Sequence, residues 1–383
     1  MKLVSCLALL LGLAGAAFAQ HHAPRSELAA SAAVDAQDRL WVVSARQGRL
    51  WLQQAPAGSS VLSAPQAITP MEDKITAVGE NRPKIAITPR GVVLITWTVA
   101  ASRPYAGHVM FTRSTDGART FEPPRRINDD ARDISHRFDN LIIDASGRAH
   151  IVWIDRRDIE DAKARGQQRA GAALYQVHSD DEGASWSPNR RLTEDSCECC
   201  RIALGLDAAG KPHAVWRHIF HGSIRDHAVL PLDASGEPQR VSFSGWKINA
   251  CPHQGPALAI DAKNIRHIVW FAGGEQAGLH YSRIDDNGIA RGPAQRLTEH
   301  GVHPAIHVAG NKVSVLWTRF DGQHHQLELA QSQDGGDTWR SVVSIARSKG
   351  AVDYPQWLAQ GGRSMAFWRT QDEGFQLLPM VQP

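Results

Sequence analysis

The chain has 383 residues, 43% of them hydrophobic, with 12 Trp and 32 Gly, enough to bury a large core. Lys and Arg number 42 against 39 Asp and Glu, a net charge of +3 with the signs interspersed, which excludes a nucleic-acid or anionic-membrane partner. At the N-terminus Lys2 precedes an apolar stretch from Leu7 to Phe18, and Ala17-Phe18-Ala19 places small residues at a cleavage position. Residues 1–19 therefore read as a secretory signal peptide, followed by one domain over 20–383. Cys6 lies before the apolar stretch, in the wrong place for a lipoprotein box. No later apolar run is long enough to cross a bilayer, so the expectation is an exported protein of a Gram-negative periplasm with no membrane insertion. Removal of the signal leaves Cys197, Cys199, Cys200 and Cys251 in an oxidising compartment.

From Ala33 onward one pattern recurs: an alternating apolar run, a short Asp/Gly turn, then a second apolar run ending near Trp. It appears around Trp41, Trp97, Trp153, Trp216, Trp270, Trp317 and Trp368. Period-2 alternation about a tight turn predicts a β-hairpin, and a repeat of about 50 residues is of the length of a propeller blade. The fold class predicted is all-β, a propeller of four-stranded antiparallel blades, seven from the hairpin count with six as the alternative. The last hairpin is followed by enough chain for a third strand only, so the segment near Gln20 to Leu28 is expected to supply the fourth.

A second motif sits between some hairpins: Ser114-Thr115-Asp116-Gly117-Ala118-Arg119-Thr120-Phe121, Ser179 through Trp186, and Ser332 through Trp339. It resembles the Asp-box (BNR) repeat of sialidase-like propellers. The chemistry is that of a turn: Asp accepts from backbone N–H groups, Gly takes a positive φ, and the aromatic packs between blades. These residues are expected to be structural.

The cysteines fall just before first strands of neighbouring blades. Cys197-Glu198-Cys199-Cys200-Arg201 precedes the fourth, and Cys251-Pro252-His253 precedes the fifth. Both segments belong to the same rim, so four thiols and the His253 imidazole are expected to converge. Two disulfides would be the plain explanation, and redox chemistry a further one. A large propeller needs no staples, and three cysteines within four residues brace a ring poorly. Soft thiolates with an imidazole suit Cu(I) or Zn(II), so the expected metal ligands are Cys197, Cys199, Cys200, Cys251 and His253. Cys197 is the first to drop if the ion takes fewer, and Arg201 is expected to lower the thiol pKa. The signal, the Asp boxes and the Cys-x-Cys-Cys loop together are similar to the bacterial periplasmic copper-binding propellers termed cupropellers. That resemblance implies copper over zinc, a role in copper acquisition or handling, and an envelope transporter or chaperone as partner.

Other rim residues have plainer readings. His136, His218, His221, His227, His300, His303, His324 and His325 fall at strand entries or loops, where a lone histidine is ordinarily solvated or hydrogen-bonded. His150, His213 and His267 recur at one strand position and are expected to pack there. A sialidase would need three arginines to grip a carboxylate, a Tyr–Glu pair and an Asp acid/base. Arg82, Arg137, Arg201 and Tyr354 are placed to face the channel, but no Glu is identifiable as partner to Tyr354, and Asp133, Asp155 and Asp353 read as ordinary loop carboxylates. A third alternative is a non-catalytic propeller that docks a protein through its rim, for instance by the charged loop Arg156 to Gly171.

Overall fold

A computed structural model describes residues 28–68, 74–77, 79–234 and 236–380. Among these residues the chain folds into successive antiparallel meanders, each strand pairing with the next. The first contains β1 (Ala30–Val34), β2 (Leu40–Arg46), β3 (Arg49–Ala55) and β4 (Gln66–Ala67). The second contains β5 (Lys84–Ile87), β6 (Val93–Ala100), β7 (Gly107–Ser114) and β8 (Arg125–Arg126). The third and fourth are β9 (His136–Ile143), β10 (Ala149–Asp155), β11 (Ala172–Ser179) and β12 (Arg190–Ser196), then β13 (Ala203–Leu206), β14 (Pro212–Phe220), β15 (Ile224–Pro231) and β16 (Gln239–Arg240). The fifth and sixth are β17 (Ala257–Ile260), β18 (Arg266–Ala272), β19 (Gly278–Ile284) and β20 (Gln295–Thr298), then β21 (Val302–Ala309), β22 (Lys312–Phe320), β23 (His325–Ser332) and β24 (Val343–Ser348). The last has three strands, β25 (Gln356–Gln360), β26 (Arg363–Thr370) and β27 (Gly374–Pro379). The all-β, four-stranded antiparallel expectation is met. The strand expected from Gln20 to Leu28 lies, apart from Leu28, outside the described residues.

Alternation along each second strand sends side chains to both faces of its sheet, and both faces are apolar. Trp41, Trp97, Trp153, Trp216, Trp270, Trp317 and Trp368 are all fully buried there. Each interface joins one sheet to the next: Val109 and Phe111 of the second pack with Ile151 and Trp153 of the third, and Leu174 of the third packs with Trp216 and Leu230 of the fourth. The series returns to its start, because Leu40 and Val42 of the first sheet pack with Phe367 of the last. The same seam is polar at its end: Arg82 donates to the Asp353 carboxylate at 2.6 Å and to the Ala30 carbonyl at 3.0 Å, while the Ala30 N–H donates to Asp353 at 3.0 Å.

The Asp boxes take the expected role. In each, an Asp carboxylate accepts from the Thr or Ser backbone four residues on, at 3.0 Å for Asp116–Thr120, 2.8 Å for Asp181–Ser185 and 2.9 Å for Asp334–Thr338. Gly117 (φ 76°) and Gly183 (φ 81°) take the left-handed turn positions. Trp186 then stands edge-on to Phe111 with ring centroids 5.0 Å apart, and Trp339 to Tyr281 at 4.8 Å.

Two sequence expectations change. Trp41 is not the counterpart of the other strand tryptophans: it stands six residues after Asp35 and donates to that carboxylate at 2.8 Å. His150 stands six after Asp144 and meets it at 3.0 Å, and His213 meets Asp207 at 3.3 Å. Trp41 thus occupies the histidine position of the repeat, an N–H donor that keeps the Asp turn closed. Second, the segment Arg156 to Gly171 is not a bare loop, since α1 (Arg157–Ala164) forms within it and buries Ala162.

Candidate metal centre

Because the strands alternate in direction, every connection entering a first strand lies at one end of the sheets, and the Asp-box turns lie at the other. Ser196, the last residue of β12, pairs with Ala172 of β11 and also with His218 of β14. The chain therefore crosses from the third sheet to the fourth with no slack. The Cys197 N–H donates to the Arg217 carbonyl at 2.9 Å, and the Arg201 N–H donates to the Glu80 carboxylate at 2.9 Å. Between those two anchors a tight turn points three thiols inward.

Cys197, Cys199 and Cys200 are 2%, 4% and 1% exposed, within an apolar cluster that includes Phe138, Val152, Ile202 and Trp216. The Cys197 sulfur lies 3.9 Å from that of Cys199 and 3.9 Å from that of Cys200, and all three sulfurs lie within 4.8 Å of one another. A point equidistant from three sulfurs so spaced lies about 2.3 Å from each, the usual metal–thiolate length. The four described cysteines are free thiols.

The electrostatics suit one negative charge. The Cys197 thiol is held well below the usual thiol range because Cys199 and Cys200 donate to its sulfur, with Arg217 and Arg225 adding positive charge. Cys199 is pushed up because it donates to Cys197, and burial pushes Cys200 up. An apolar pocket accepts one thiolate with two donors far more readily than three thiolates. A soft cation replacing the two protons resolves that repulsion, as metal binding releases ligand protons.

Cys251 is exposed and lies outside the group of mutually close sulfurs, while its loop and the Cys197–Cys200 turn are both tied to Arg217 and Glu80. Its thiol is pulled below the usual range chiefly by Cys199. His253 is exposed, at φ 51°, and lies outside the group of mutually close ligand atoms. The Arg201 charge interacts with Cys200, but its hydrogen bonds go elsewhere. Its guanidinium donates to the carbonyls of Pro256, at 3.0 Å, and Pro304, and stands 3.7 Å from Glu80. The cation under the cysteines is Arg217, buried to 1% exposure and donating to the carbonyls of Arg225, Gln254 and Phe271 at 2.9, 2.8 and 2.8 Å. Sequence reasoning missed it. The available signal was an Arg directly after the strand tryptophan, where Thr98, Ile154, Phe271 and Thr318 stand in four other sheets and Arg369 in the last.

The remaining rim histidines have local partners. The His227 Nδ1 meets Ser242 Oγ at 3.1 Å, His136 meets the Asp155 carboxylate at 3.0 Å, and the His325 ring lies tilted against Phe320 at 4.8 Å. His218 packs its ring on Phe220 at 4.6 Å and on Trp216 at 5.9 Å, and burial lowers its pKa to about 4. His221 sits exposed in the turn after β14.

A second polar cluster joins the strand entries of other sheets. Tyr354 lies between the Arg82 guanidinium, 4.7 Å from its ring, and the His303 ring, stacked at 3.5 Å. His303 in turn approaches Glu80 at 3.5 Å. Glu80 is the acid that sequence reading failed to associate with Tyr354, and His303 separates the two. Arg82 is already paired with Asp353, whereas Arg137 stands over Phe138 at 5.1 Å and donates to the Tyr105 carbonyl at 3.4 Å.

No protein-family model matches the chain, and no curated protein matches it. Solved structures do. A lectin, BP39L from Burkholderia pseudomallei, is similar over 92% of this chain and 95% of its own, at 13% identity and a TM-score of 0.63. A PL25 ulvan lyase bound to a saccharide is similar over 92% of this chain and 94% of its own, at 12% identity and a TM-score of 0.58. The NanB sialidase of Streptococcus pneumoniae, as its K499G mutant, is similar over 90% of this chain and 82% of its own, at 9% identity and a TM-score of 0.50. At these identities the likeness shows the fold alone and carries no chemistry with it.

Proposed function

We propose that this chain is a soft-metal protein that binds Cu(I) through Cys197, Cys199 and Cys200, and that it acts in copper acquisition or handling in the periplasm. The single observation that carries the reading is the trio of buried sulfurs, two of whose separations are 3.9 Å and all of which lie within 4.8 Å, in an apolar pocket. Soft thiolates select Cu(I) and Zn(II) over harder ions. Three buried ligands suit trigonal Cu(I), whereas a structural zinc site is closed by four. On this reading the scaffold is a seven-bladed propeller over residues 20–383, exported by the segment 1–19, and its partner is an envelope copper transporter or chaperone. The sialidase reading is the weaker one. Its fold is present, but Arg82 and Arg201 are engaged by Asp353 and Glu80, and His303 lies between Tyr354 and Glu80.

The test is metal content by elemental mass spectrometry on protein isolated after growth with added copper. The wild type is expected to hold about one copper per chain, and Cys199→Ser/Cys200→Ser essentially none, because one remaining thiolate cannot hold the ion in place of three. Zinc in place of copper would change the metal assigned. Metal-free wild-type protein would overturn the reading and make a sialoside hydrolysis assay the next step.

A further inference from the structure

We propose that Cys251 is the entry thiol of the site, the group that takes the metal from a donor and passes it to the buried trio; this rests on the soft-metal reading above. Cys197, Cys199 and Cys200 are each at most 4% exposed, so a bulky donor ligand cannot reach their sulfurs directly. Cys251 is exposed, as are Asn249, Ala250 and His253 around it, and its loop is anchored on the same Arg217 and Glu80 that hold the Cys197–Cys200 turn. Among the described cysteines it is the one that solvent reaches.

The backbone holds it there. Before Cys251, the Arg225 Nε donates to the Ile248 carbonyl at 3.2 Å. After it, Arg217 donates to the Gln254 carbonyl at 2.8 Å, and the Gly255 N–H donates to the Glu80 carboxylate at 2.7 Å. Only residues 249–253 lie free between these anchors, and Pro252 stiffens their centre by restricting Cys251 to extended backbone. Arg217 fixes both sides of the site at once, since its own carbonyl accepts the Cys197 N–H and its guanidinium holds the Cys251 loop.

The transfer is a series of ligand exchanges. A copper–sulfur bond to Cys251 forms as one donor–copper bond breaks. Cys199 then bonds the copper as further donor bonds break, and Cys197 and Cys200 complete the trio as Cys251 lets go. Each thiol that becomes a ligand gives its proton to water, and each departing donor atom leaves with its own electron pair. Copper remains Cu(I) throughout, and no oxidant or reductant is consumed.

The experiment follows loss of colour of a Cu(I)–bicinchoninate complex by stopped flow, under anaerobic reducing conditions, on full-length wild type and Cys251→Ser. Both proteins are expected to reach the same copper content, while the variant fills about tenfold more slowly or worse, because a positioned thiol turns a hindered encounter into a local one. Wild-type protein alkylated at the exposed Cys251 is expected to show the same slow filling. Unchanged rates would overturn the proposal by showing that the trio fills directly. A lost equivalent of copper in Cys251→Ser would overturn it by making Cys251 a permanent ligand. If wild type itself takes no copper, the failure lies in the soft-metal reading, and the comparison of variants is not reached.

Discussion

Glu80 shows how single residues at the strand entries are set. Burial pushes its carboxyl up, but the His303 hydrogen bond, the Arg201 charge and the Gly255 N–H outweigh that and hold it at about 2. Burial lowers the His303 pKa, and its ring stands 3.5 Å from the Glu80 carboxylate. A carboxylate depressed on folding contributes stability that is fully present above its unfolded pKa of roughly 4.5. That contribution is lost as pH falls from there through the folded value of about 2. Urea unfolding at pH 7, 4 and 3 is expected to show this decline in the wild type and a flatter one in Glu80→Gln. The variant should already be weaker at pH 7 by about 2 kcal/mol, the usual order for a lost buried charged acceptor. An unchanged slope would show that Glu80 is not ionised in its place. The cysteines obey the same logic with a different outcome: three thiols in one apolar pocket favour a single thiolate, and that leaves the site ready for a soft cation.

At the scale of elements, the Cys-x-Cys-Cys turn works because Ser196 ends one sheet and also pairs with β14 of the next. This turn was legible in the sequence, since Cys197 to Cys200 fell just before a first strand and Cys251 just before the next. Asp116, Asp181 and Asp334 were legible too, because turn chemistry is local. Side-chain direction was not. His253 lies only two residues from Cys251, yet a positive φ beyond Pro252 leaves it at the surface. The role of Arg217 was not legible from its position after the strand tryptophan, because its partners are carbonyls brought together by three separate segments. Arg217→Met leaves those carbonyls buried without donors and frees the Cys251 loop. The expected cost is about 3 kcal/mol, in the range found when a buried charged donor is removed, with faster proteolysis between residues 248 and 255. Unfolding within about 0.5 kcal/mol of wild type would show that the loop is held by other contacts.

Across the whole molecule, the hydrophobic interfaces pass from each sheet to the next and come back to the first. The sequence showed the repeat that builds them, through the strand tryptophans and the boxes between them. It did not show how the ends meet, because the seam depends on a pair 271 residues apart, Arg82 and Asp353, with Ala30 clasped by both. Nor did the repeat reveal that Trp41 substitutes for a histidine, since counting tryptophans hides which strand position each occupies. On the proposed soft-metal reading, short loops suffice for the site because Cys197 to Cys200 and Cys251 leave neighbouring sheets whose packing sets the loop spacing. On the soft-metal reading this packing presents a preformed trigonal sulfur site. X-ray absorption at the copper edge, on protein loaded with one equivalent of Cu(I), checks it. The expected result is a first shell of about three sulfurs near 2.3 Å, collapsing in Cys199→Ser. A shell dominated by nitrogen or oxygen would rule the trigonal sulfur site out.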